Sequence, residues 1–140
     1  MSSNHMELHF ARVALEEAAA TGECQIFFSP SVVELEVVRR HIIYLAELQG
    51  LLLMRKQLNS PRGAPLEGHP LILPNNGKIV FLQPGCRTSA GLCGNVYGIN
   101  CFDGANLAEL SDLVLSWTAL KKHHAVFFSV PSFMTQDEFE

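Results

Sequence analysis

The sequence predicts an α/β fold with a small, mainly parallel sheet flanked by helices. Three observations carry this expectation. Short apolar runs at Gln25 to Phe28, Lys78 to Leu82 and Ala125 to Val130 alternate with segments of helical periodicity. The last of these is almost wholly apolar, as in a parallel strand buried on both faces. An Asn75-Asn76-Gly77 turn between Leu71-Ile72-Leu73 and Lys78 to Leu82 adds a β-hairpin, because Asn-Gly accepts positive φ. At 140 residues, a single domain over 1–140 is expected, long enough to bury a core without staples.

In chain order, Glu7 to Thr21 is rich in Ala and Glu, with Leu8, Ala11, Leu15 and Ala18 at helical spacing. Gly22 stands where a helix end favours a left-handed residue. Cys24 to Phe28 then reads as a strand ended by Ser29-Pro30. Ser31-Val32-Val33-Glu34 is a capping box, with the Ser hydroxyl and the Glu carboxylate each taking an orphan amide. It opens a helix to about Gln49 whose apolar face is Leu35, Val38, Ile42, Leu45 and Leu48, and Gly50 ends it. Leu51 to Met54 fits either a further helical turn or a strand. Asn59 to Pro70, rich in Pro, Gly and Ser, reads as a surface loop. Within the Gly-punctuated Gly85 to Gly98 the expectation is one short helix near Ser89 to Tyr97. A final helix is expected from about Asn106 to Leu120, with Lys121 and Lys122 favourably placed at its C-terminal end.

Composition narrows the function classes. The chain is 48% apolar and carries a formal charge of -4, which argues against nucleic acid as the main ligand and suits a basic partner. Cys24, Cys86, Cys93 and Cys101 show no CxxC spacing, so buried thiols in a reducing cytoplasm are expected rather than a metal site. Ile42 to Ala46, flanked by Arg39, Arg40 and Glu47, is too short to span a membrane. His123-His124 lacks a carboxylate or Cys at ligand spacing, and Cys86 with His69 would need a tertiary meeting that the sequence does not indicate. The glycines of 85–98 form neither GxGxxG nor GxxxxGK. These patterns predict a binding protein, with no enzyme activity and no cofactor.

The richest run is Phe102-Asp103-Gly104-Ala105-Asn106, followed by a short helix bearing Glu109 and Asp112 on one face. An aromatic beside carboxylates can engage guanidinium groups, which makes Phe102, Asp103, Gly104, Asn106, Glu109 and Asp112 the candidate partner-binding residues. With Leu107, Leu110 and Trp117 the segment resembles the barstar-like family of ribonuclease inhibitors. That family shows an aromatic pair, Gly, Asn-Leu, Leu, an acid and Trp at matching spacing. Lys78 to Leu82 is similar to the family's first strand, Ser89 to Tyr97 to a shortened first helix and Ala125 to Val130 to its second strand. Val13 to Gly22 with Gln25 to Phe28 resembles the family's closing helix and strand, so the resemblance implies circular permutation and adds Glu17 to the contact acids. Ala108, Ser111 and Asp103 depart from the family pattern. The resemblance implies an inhibitor-like protein whose acidic face binds a basic protein such as a nuclease. The alternative is an assembly subunit that self-associates into a homo-oligomer through the helix Ser31 to Gln49.

Overall fold

The computed structural model describes residues 5–51, 70–84, 93–101, 108, 111, 113–115, 117–118 and 123–130. Two full helices, α1 (His5–Thr21) and α2 (Val32–Leu48), accompany five strands: β1 (Cys24–Phe28), β2 (Leu71–Ile72), β3 (Lys78–Leu82), β4 (Gly94–Ile99) and β5 (Ala125–Phe128). Ala108, Ser111, Leu113 to Leu115 and Trp117 are also helical. The strands form one mixed sheet in the order β2-β3-β1-β4-β5. β1 pairs in parallel with β3 on one side and β4 on the other, β4 pairs in parallel with β5, and β2 is antiparallel to β3. The α/β class, the mainly parallel sheet and the hairpin therefore follow the sequence reading.

Alternation along the strands divides the core into two layers. Phe27, Ile79, Phe81, Tyr97 and Phe128 face α1 and α2, where they meet Ala11, Ala14, Leu15, Ala18, Leu35, Val38 and Ile42. The opposite face presents Ile26, Phe28, Val80, Leu82 and Val96 to Trp117, Leu113 and Val114. Trp117 is fully buried, with its ring 6.0 Å from that of Phe28. The small face of α1, built from Ala11, Ala14 and Ala18, lets the helix lie close over the stacked rings of Phe27, Phe81 and Tyr97.

Helix ends follow the local chemistry closely. Gly22 is left-handed at φ 75°, and its amide donates to the Ala18 carbonyl at 2.9 Å. Gly50, at φ 74°, closes α2 in a Schellman arrangement: the Gly50 amide reaches Glu47 and the Leu51 amide reaches Ala46. At the other end of α2, the Ser31 hydroxyl accepts from the Glu34 amide at 3.3 Å. The reciprocal half of the box is replaced, because the Ser31 amide donates to the Ser29 hydroxyl and the Glu34 side chain turns into the protein.

Four expectations are corrected. Leu48 is 65% exposed and Ala46 takes its place on the buried face, a rotation of the stripe toward the 3.6-residue period. The helix expected near Ser89 to Tyr97 is instead, from Gly94 on, strand β4. Gly94 lies so close to the Cys24 carbonyl of β1 that a Cβ would collide with it, which explains a glycine in a central strand. Residues 85–92 lie outside those described. β5 is half-exposed at the sheet edge rather than buried on both faces, with Phe127 at 39% exposure. Finally, the hairpin loop spans residues 73–77, and Asn76 alone takes positive φ there.

The loop glycine has a different task. A Cβ on Gly77 would stand 2.6 Å from the Ala18 carbonyl oxygen. In the same loop, the Asn75 amide donates to the Ala18 and Ala19 carbonyls at 3.0 and 2.9 Å, capping α1 across more than fifty residues of chain. Gly77→Ala is expected to cost roughly 1–3 kcal/mol, read as a lower denaturation midpoint in urea at unchanged slope.

Candidate functional site

The connection after β1 runs through α2 to the β2–β3 hairpin on one side, and the connection after β4 runs to β5 on the other. Adjacent parallel strands whose chains leave in opposite directions create a crevice at their carboxyl ends, where open α/β sheets place ligands. The helices converge on the same edge. Phe10 of α1 stacks on Phe128, the last residue of β5, at 4.6 Å, while the far end of α1 meets Asn75 just before β3. The first turns of α1 and α2 therefore flank the carboxyl edge.

Polar groups at this edge are bonded back into the protein. Ser29, fully buried after β1, accepts the Ser31 amide at 3.1 Å and donates its own amide to the Leu82 carbonyl. Gln83, after β3, donates from Nε2 to the Pro30 carbonyl at 3.3 Å. Asn100, after β4, is left-handed at φ 55°, a conformation Asn tolerates, and its Oδ1 accepts the Val130 amide at 2.8 Å. The buried Cys101 thiol lies 3.4 Å from the Phe28 carbonyl and 3.3 Å from that of Ile99. It ties the ends of β1 and β4 together.

The acids flanking the edge, Glu7 and Glu34, are 3% and 4% exposed. Burial pushes the Glu7 carboxyl up to about 8, aided by its hydrogen bond to Glu34 and by that neighbour's charge. Glu7 is hydrogen-bonded to Glu34, a pairing invisible in the sequence because the two stand on different helices.

A second polar cluster lies nearer the amino ends of β1 and β4. Gln25 Oε1 accepts from the Tyr97 hydroxyl at 2.7 Å and from Asn95 Nδ2 at 3.3 Å, and Asn95 Oδ1 accepts the His124 amide. Burial raises the Tyr97 phenol, which stays a donor. Burial also pushes the Cys24 thiol up to about 11 and so disfavours its nucleophilic thiolate. His123 stands 3.8 Å from Glu23 and is buried, whereas His124 is exposed.

Of the residues singled out by sequence, Glu17 lies exposed on α1, and its backbone carbonyl accepts the Thr21 hydroxyl at 2.7 Å. Phe102, Asp103, Gly104, Asn106, Glu109 and Asp112 lie outside the described residues. Sequence reasoning missed Ser29, Asn100 and Cys101. The signal for them was topological: the sheet order was needed to see that the ends of β1 and β4 adjoin.

Comparison with known proteins changes the functional frame. The chain is 30% identical over 124 residues to the probable terminase ATPase subunit of Haemophilus phage HP1, covering 89% of this chain and 18% of that protein. It is 30% identical over 132 residues to the terminase ATPase subunit of Escherichia phage P2, covering 94% of this chain and 20% of that one. The chain thus spans about a fifth of the length of the curated relatives it matches. No family model matches, and no solved structure matches.

These similarities overturn the barstar-like resemblance. They run through nearly the whole chain, whereas the inhibitor pattern rested on a few positions in about fifty residues and required permutation. Part of the segment equated with that family's first helix is strand β4. The inhibitor role, the basic protein or nuclease partner and the exclusion of nucleic acid fall with it. So does the expectation that the chain has no part in an enzyme, since both relatives are named ATPase subunits. Among the described residues no helix is long and apolar enough to cross a membrane.

The Glu7–Glu34 pair makes stability depend on pH. A carboxyl raised from 4.5 to about 8 binds more protons folded than unfolded between those values, so stability falls as pH rises through that window. Thermal melts should show a loss on the order of 4 kcal/mol between pH 5 and pH 9. Glu7→Gln, which keeps a neutral donor at that place, should flatten the dependence.

Proposed function

We propose that this chain is a segment of a terminase-type ATPase subunit, the class of protein that drives DNA into phage capsids. Near-complete, collinear similarity to two such subunits is the observation that carries this reading. Residues 1–140 act as one α/β unit in the cytoplasm, with DNA and the packaging assembly as partners of the whole motor. The sheet topology suits that role, because nucleotide-handling α/β proteins place their chemistry at the carboxyl edge of a parallel sheet, at a switch point.

The test is a chimera in which the matched residues of the phage P2 subunit are replaced by this chain. The expected chimera is soluble, and its grafted segment unfolds no earlier than the segment it replaces. An insoluble product, or a grafted segment that melts separately at lower temperature, contradicts the proposal.

A further inference from the structure

An ATPase on a parallel sheet needs two things that chemistry dictates. Backbone amides and a Lys must cradle the phosphates, which takes a glycine-rich turn of the form GxxxxGK[ST]. A carboxylate at a strand end must hold magnesium, which binds through one or two carboxylates, waters and phosphate oxygens. This chain's donor set does not fit. Nowhere in its 140 residues is there a GxxxxGK sequence, and its only Gly-Lys pair, Gly77-Lys78, opens strand β3 at the amino edge of the sheet.

The carboxyl edge departs from the requirement as well. After β1, β3, β4 and β5 stand Ser29, Gln83, Asn100-Cys101 and Ser129, none of them an acid. Ser29, Gln83 and Asn100 are bonded to the backbone around them, and Cys101 reaches two carbonyls there. Glu7 and Glu34 flank the edge but are buried against each other, with Glu7 holding a proton that a cation would have to displace. Among the described residues no three His, Cys, Asp or Glu side chains gather where they could hold a metal.

We infer that the carboxyl edge, as the described residues build it, does not fit a magnesium-bound nucleotide: the β1/β4 switch point is there, but Ser29, Gln83, Asn100 and Cys101 offer neither a phosphate cradle nor a carboxylate. The inference rests on the reading as a terminase-type segment and goes further, because it says which parts of the site the segment does not bring. Ser29 and Asn100 hold the ends of β1 and β4 in place and contribute shape rather than ligands.

The experiment uses the full 140-residue chain. Its melting temperature and the anisotropy of a fluorescent ATP analogue are followed with magnesium and with EDTA. A ligand bound only by the folded state raises its melting temperature, so binding and folding are read on one sample. The expected result is no saturable anisotropy change and a shift under about 1 °C at millimolar Mg–ATP. Saturable binding that EDTA abolishes overturns the inference. Loss of that binding in Asp103→Asn would identify the acid nearest in sequence after Asn100 as the metal ligand. That outcome leaves the terminase reading standing, whereas failure of the chimera removes the reading without bearing on nucleotide binding by the free chain.

Discussion

The two-sided parallel pairing of β1 is the constraint on which the rest of the structure depends. Cys24 to Phe28 bonds to β3 along one edge and to β4 along the other, so five residues fix the register of three strands. That register stacks Phe27 between Phe81 and Tyr97, with ring centroids 5.8 and 4.6 Å apart. Moving β1 by one residue would turn Phe27 from the α1/α2 layer to the Trp117 layer and bring Gln25 with it. Gln25 makes the register still more specific. Fully buried, it takes hydrogen bonds from Tyr97 and Asn95 of β4, and it would lose both in any other alignment.

The carboxyl edge follows from that pairing. Because β1 is central, its end and the end of β4 meet where the chain leaves in opposite directions, and a crevice must form there. The described groups at that edge turn back into the protein. Short polar side chains spend their hydrogen bonds on neighbouring backbone, a thiol bridges two strand ends, and the nearby acids Glu7 and Glu34 are buried against each other. The Ser29, Gln83 and Asn100 side chains at this edge are engaged by neighbouring backbone. The chemistry of its described residues departs from that of a self-sufficient nucleotide site.

Much of this architecture was legible in the sequence. Gly22, the Ser31 cap, Gly50 and the Asn75-Asn76-Gly77 turn mark element ends through local backbone chemistry, and each end stands where that chemistry puts it. β4 was not legible, because Gly-Asn-Val-Tyr-Gly-Ile offers only three apolar side chains beyond its glycines. It is a strand because Gly94 lets it approach β1 and because Asn95 and Tyr97 bond to Gln25, all of them tertiary facts. The Glu7–Glu34 pair and the Ser29/Asn100/Cys101 edge were hidden for the same reason. The inhibitor resemblance arose from spacing that a short amphipathic helix after a Gly-Asn turn shares across unrelated folds.

Native-state hydrogen exchange along β1 tests the central role of that strand most directly. If β1 organises the sheet, the amides of Gln25 to Phe28 exchange only through global unfolding and with the full free energy of stability, while β5 opens earlier. Exchange of β1 through a cheaper, sub-global opening, with β3 or α2 still protected, would contradict the account.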